Sequence, residues 1–139
     1  MIDPSEFYAA KLTYETDPSD VHAALKAGEN VVVVDVRSHE AWLQGRVAGA
    51  VHLPYSEIAT RARAEVPADA DVVVYCWSPG CNAGAKGALE FARLGYRVRE
   101  MIGGFEYWVR EGYAVEDADG VHHRPVDPLT GIARIRTRA

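Results

Sequence analysis

Four consecutive valines, Val31–Val34, run into Asp35-Val36-Arg37, and a second run, Val72-Val73-Val74-Tyr75, ends at Cys76. Unbroken β-branched residues favour extended backbone and leave no polar face, so each run is predicted as a strand buried on both sides. Such strands favour a parallel sheet covered by helices on both faces, an α/β fold.

The intervening segments fit that plan. Residues 4–12 read as a short helix with Pro4 in its first turn and Phe7, Ala10 and Leu12 on its apolar side. Thr13–Thr16 follows as an edge strand, and Asp17-Pro18 starts a helix with a stripe of Val21, Ala24 and Leu25 that stops at Gly28. Ser38 caps a short helix ending at Gly45, Gly49–Pro54 is a short strand, and Ser56 caps a helix that turns Ile58 and Ala62 inward. A further helix begins at about Ala85, its face formed by Ala85, Ala88, Leu89 and Ala92, and ends at Gly95. Arg97–Ile102 is a strand, Gly103-Gly104 a turn, and Phe105, Trp108 and Val109 mark the last helix. Trp42 and Trp108 are expected in the core. Residues 1–115 are therefore expected to form one domain, with 1–16 as an N-terminal helix and edge segment and 116–139 as an extended tail with little regular structure.

Length and charge narrow the partners. A chain of 139 residues suits one core, and a net charge of −5 makes nucleic acid an unfavourable partner. Apolar runs are far too short for a membrane span, and the start, Met1-Ile2-Asp3-Pro4-Ser5-Glu6, is acidic with no apolar signal core, so a cytoplasmic location is expected. In that reducing compartment two nearby cysteines are read as reactive rather than as a structural staple. They would need two more ligands to hold a metal and the histidines are scattered, so no metal or other cofactor is expected. His122-His123 and the basic end with Arg134, Arg136 and Arg138 are read as solvated, and an apolar patch around the tail could support a homodimer.

The chemistry gathers at one loop. The order strand, loop Trp77-Ser78-Pro79-Gly80-Cys81-Asn82, helix aims backbone N–H groups and the positive end of a helix dipole at one concavity, which biases the Cys76 thiol toward thiolate. In open α/β sheets ligands bind beyond the carboxyl ends of the strands, and Asp35, Arg37, Cys76 and Gly103-Gly104 all fall there. Asp35 and Arg37 either contact substrate or form a structural pair. Cys81 either fills a small slot at the helix start or acts as a second thiol.

Three segments carry a family resemblance. They are Val33-Val34-Asp35-Val36-Arg37 leading to Glu40, Gly45, Gly49-Ala50 and Pro54; Val73-Val74-Tyr75-Cys76 with its loop and helix to Gly95-Tyr96; and Gly103-Gly104, Trp108 and Gly112-Tyr113. In this order they resemble the rhodanese-like (sulfurtransferase) domain, from about Asp17 to Val115. The resemblance implies a five-stranded, mostly parallel sheet flanked by helices on both faces. It implies that Cys76 is the catalytic cysteine, takes sulfur from a small donor such as thiosulfate as a persulfide, and yields it to a thiol or cyanide. Loop N–H groups from Trp77 to Asn82 would then cradle the anion. Many members carry an arginine where this chain has Cys81, and no Arg or Lys lies between Cys76 and Lys86. Charge would come from Lys86, Arg37 or Arg46, or from backbone amides alone. Without a bidentate arginine, phosphatase chemistry is disfavoured. Two rival readings stand beside sulfur transfer: a thiol-redox protein in which Cys81 resolves Cys76, and a non-catalytic interaction module on the same fold.

Overall fold

The structure is a computed structural model that describes residues 1–132; Arg134, Arg136 and Arg138 lie outside the described residues. Helix α1 (Pro4–Tyr14) is capped by Asp3, whose carboxylate accepts the Glu6 amide, and runs into β1 (Glu15–Thr16). Asp17 caps α2 (Pro18–Lys26) in the same way through the Asp20 amide, with Pro18 in the first turn. Then come β2 (Val31–Asp35), α3 (His39–Gln44) capped by Ser38, β3 (Arg46–Val47), β4 (Val51–His52) and α4 (Ile58–Glu65). The second half supplies β5 (Asp71–Tyr75), α5 (Ala83–Arg93), β6 (Arg97–Met101), α6 (Gly104–Arg110), β7 (Val115–Asp117) and β8 (Gly120–His122).

Five strands form one parallel sheet in the order β1-β6-β5-β2-β4, which puts β5 at the centre. The two valine runs pair in register, Val31 to Asp71 through Asp35 to Tyr75. Alternate residues feed opposite cores. Val34, Val36, Val72 and Val74 pack with Ile58 and Ala62 of α4 and Phe91 of α5, whereas Val33, Val73 and Tyr75 pack with Val21 of α2 and Trp108 of α6. Each fully buried side chain of this size contributes about 1.5–3 kcal/mol, so burial on both faces anchors the central strands most firmly.

Several expectations are corrected. Phe7 and Leu12 of α1 are exposed, and the helix buries no side chain; its contacts are with β1, the edge strand, and its neighbour β6. Ser56 makes no cap; a 3-10 turn at Tyr55–Glu57 leads into α4 instead, and Ile58 and Ala62 are buried as expected. Helix α5 starts at Ala83 and packs through Gly84, Gly87 and Phe91, leaving Leu89 exposed. A Cβ at Gly87 would lie 2.7 Å from Val36 Cγ1, so glycine lets the helix approach the sheet more closely than alanine would. Trp42 is only half-buried, stacked 4.8 Å from the His52 ring beneath the Arg46 guanidinium.

The expected extended tail from residue 116 is also corrected at its start. β7 and β8 form a hairpin, and β7 pairs antiparallel with β3, placing buried Val115 opposite Val47. Asp117 accepts the Asp119 amide and Gly120 takes positive φ, a turn for which Asp119-Gly120 was the available signal. Farther on, Asp127 pairs with Arg110 and holds the chain against α6. The two tail histidines have local partners: His122 lies 3.6 Å from Asp117, and His123 Nδ1 is 2.7 Å from the Gly112 carbonyl.

Candidate active site

Cys76 follows the last residue of the central strand and is 5% exposed. Its carbonyl accepts the Phe105 amide and the Trp77 carbonyl accepts the Glu106 amide, so the first turn of α6 clamps the beginning of the loop. Gly104 permits this contact. Its φ is +63°, and a Cβ there would lie 2.6 Å from the Cys76 oxygen and 2.9 Å from the Ser78 nitrogen. The sequence placed Gly103-Gly104 at the rim; the structure gives Gly104 the sharper task of holding the loop backbone.

The rest of the loop turns back on itself. Cys81 N–H donates to the Ser78 carbonyl at 3.1 Å, with Pro79 and Gly80 exposed at the bend. Cys81 thereby returns over Cys76, and the two sulfurs are joined as a disulfide with a Cα–Cα separation of 6.3 Å. Asn82 occupies the cap position of α5 without a side-chain cap bond. That helix begins two residues after Cys81, and the disulfide ties Cys76 to the same turn, so its positive end favours a thiolate once the bond is open. A thiolate so placed can act as a nucleophile, and the pair can exchange between dithiol and disulfide.

Cys76, Cys81, Ser78 and Pro79 line a cavity of about 280 Å³ closed by Gly103 and Gly104. Its outer wall carries Lys11, Glu15 and Glu100, residues that sequence reasoning did not select. Lys11 is ion-paired to Glu15. Burial pushes the Glu100 carboxyl above its ordinary range, Glu15 adds to the rise and Lys11 opposes it. The strand period of β6 and the i,i+4 pair Lys11–Glu15 were visible in sequence, but their approach to the cysteine loop depends on the parallel pairing of β1 with β6.

Each cation considered for the anion site is engaged elsewhere. Arg37 and Asp35 are buried together: Arg37 Nη2 donates to Asp35 Oδ2 at 2.7 Å and to the Gly45 carbonyl at 2.6 Å. Tyr75 Oη donates to the same Asp35 oxygen at 2.6 Å and accepts the Val47 amide. Burial, then the Asp35 charge, pushes the Tyr75 hydroxyl well above its ordinary range, so it stays a donor. The Arg37 guanidinium lies 4.3 Å from the Trp77 ring centroid and 4.6 Å from that of Phe105; its Nη1 has no hydrogen-bond partner among the described residues. Thus Trp77, 40% exposed, roofs a buried arginine and lines a neighbouring cavity with Gln44, Gly45 and Phe105. Lys86 extends over the Tyr55 ring, and Arg46 donates to the Trp42 carbonyl and faces Glu116. His52 Nε2 is 2.8 Å from the Arg37 carbonyl. Among the described residues no group of three or more His, Cys, Asp or Glu could hold a metal, and no helix is long and apolar enough to cross a membrane.

Comparison with known proteins agrees with this geometry. A protein of Allochromatium vinosum named Sulfurtransferase is 34% identical over 110 residues, covering 76% of this chain and 97% of that protein. Thiosulfate sulfurtransferase GlpE of Pseudomonas entomophila is 36% identical over 98 residues, 70% of this chain and 85% of the relative. The HTH-type transcriptional regulator Rv0324 of Mycobacterium tuberculosis is 37% identical over 99 residues, but the match covers only 42% of that protein. Among solved structures, the BH2092 protein of Bacillus halodurans superposes with a TM-score of 0.76 at 39% identity, covering 85% of this chain and 89% of that one. The family model for the Rhodanese-like domain matches residues 17–111, a span that runs from the cap of α2 to the end of α6 and takes in the whole cysteine loop. With a parallel sheet in this order and a cysteine loop at the end of its central strand, the chain belongs to the rhodanese-like domain family.

Proposed function

We propose that the protein is a rhodanese-type sulfurtransferase in which Cys76 carries the transferred sulfur as a persulfide. The observation that supports this reading most is the position of Cys76, at the carboxyl end of β5 and at the mouth of the turn into α5. The thiolate attacks the outer sulfur of a sulfane donor such as thiosulfate, and sulfite leaves. An acceptor, cyanide or another thiol, then takes the sulfur and restores the thiolate. With Arg37, Arg46 and Lys86 engaged elsewhere, the anionic intermediate relies on loop amides between Trp77 and Asn82 and on the α5 dipole. The Cys81 amide already serves the Ser78 carbonyl. Asp35 and Arg37 support the loop from below, through Trp77 and Phe105, rather than touching the donor.

The test is thiocyanate formation from thiosulfate and cyanide by protein whose Cys76–Cys81 bond has been reduced beforehand. Cys76→Ser is expected to lower it by roughly a thousandfold or more with unchanged thermal unfolding of the reduced protein; activity near the parent level would overturn the assignment. The disulfide favours a second reading, a thiol-redox protein that exchanges the Cys76–Cys81 bond with a dithiol partner. That reading expects rapid dithiol exchange and no sulfur retained by Cys81→Ser.

A further inference from the structure

We infer that the loop carries its own sulfur acceptor: Cys81 attacks the Cys76 persulfide, expels hydrosulfide and closes the Cys76–Cys81 disulfide. The inference rests on the sulfurtransferase reading and adds an activity to it, reduction of sulfane sulfur to sulfide.

Reach is the first support. The two sulfurs are bonded across a single turn that the Cys81 amide closes on Ser78, between the end of β5 and the start of α5. Opening the bond leaves Cys81 tethered beside Cys76, so an intraloop attack needs no encounter with a partner.

The Sγ–Sγ bond of the structure is the product that attack on the inner sulfur gives. Cys81 meets Cys76 Sγ, which is the inner sulfur of a persulfide. Attack there forms the Sγ–Sγ bond and breaks the bond to the sulfane sulfur. Attack on the outer sulfur would only move the persulfide from one loop cysteine to the other. The cavity suits the leaving group. It is small, and its wall carries Glu15, Glu100 and one lysine already paired to Glu15, so the released anion meets no unpaired cation among the described lining residues.

The step balances without an outside oxidant. Cys81 gives up its thiol proton as it attacks, and that proton ends on the departing sulfur; the two cysteine sulfurs end oxidised as a disulfide, and the sulfane sulfur takes both electrons and leaves as HS⁻. A dithiol reductant resets the loop by thiol–disulfide exchange, returning both thiols. The sum is a donor such as thiosulfate and a dithiol giving sulfite, sulfide and a cyclic disulfide.

The test is anaerobic, with the reduced 139-residue chain mixed with thiosulfate in the absence of added reductant or cyanide. Sulfide is measured by trapping and the protein by intact mass. The parent chain is expected to release one sulfide per molecule and to finish two hydrogens lighter than the dithiol. Cys81→Ser is expected to gain one sulfur atom and to lose sulfide release. A parent chain that keeps the added sulfur, with Cys81 still alkylatable and no sulfide formed, overturns the inference and leaves sulfur transfer standing. Failure of both proteins to gain sulfur or release sulfide overturns the inference together with the reading beneath it.

Discussion

At the carboxyl end of β2, Asp35 and Arg37 are committed to each other, to Tyr75 and to the Gly45 carbonyl, and water reaches almost none of them. At the adjacent end of β5, the side chains of Cys76 and Cys81 are joined by a bond that a reductant can open, in a loop with exposed residues at its bend. The strands are paired, with Asp35 opposite Tyr75, so both ends stand on the same rim of the sheet. The difference lies in what satisfies the polar groups. A buried ion pair surrounded by hydrogen bonds is scaffold, because removing one partner strands a charge. Thiols beside a helix N-terminus suit the proposed sulfur chemistry, because that environment stabilises a thiolate.

Arg37→Ala should break the first region with the largest stability effect, about 3–5 kcal/mol, because it leaves the Asp35 carboxylate buried without its counter-ion. Denaturant melts of the reduced protein check this. A variant that melts like the parent and shows only a raised KM for the donor would break the comparison, because Arg37 would then belong to the site.

Gly104→Ala joins the two regions and should come next. A side chain at φ +63° within 2.6 Å of the Cys76 oxygen must push the loop away from α6, at a cost of about 1–3 kcal/mol. Thiocyanate formation should fall further than the loss of folded protein explains. Equal losses of activity and of folded fraction would mean that Gly104 serves the fold alone.

Glu100→Gln gives the smallest effect and sharpens the electrostatic side. The Glu100 carboxyl titrates above its ordinary range in the folded protein, chiefly through burial. The folded state therefore binds the proton more tightly than the unfolded chain. The parent loses stability as pH rises from the ordinary carboxylate range through the raised value. Glutamine does not titrate, so the variant should be the more stable at neutral pH, with the gap closing as pH falls below that window. Thermal melts across the acid range check it; a gap independent of pH would contradict the burial of this charge.

Sequence made the central strands legible because Val31–Val34 and Val72–Val74 admit one environment, burial on both faces. It made Cys76 legible because strand, loop and helix follow one another along the chain. What stayed hidden depends on distance in sequence. The face of α5 was misjudged because Gly84 and Gly87 look like weak helix positions until Glu100 is seen to crowd the first and Val36 the second. The hairpin of β7 and β8 was missed because its partner, β3, is a two-residue strand far upstream. Lys11, Glu15 and Glu100 could not be tied to the cysteine loop before the register of β1 on β6 was known.

The most direct measurement is peptide-mapped mass spectrometry of reduced Cys81→Ser protein exposed to thiosulfate and then to cyanide. The persulfide account predicts one added sulfur on the peptide containing Cys76, removed by cyanide as thiocyanate. A Cys76 peptide that never gains sulfur, in protein that remains folded and retains a free Cys76 thiol, would contradict it.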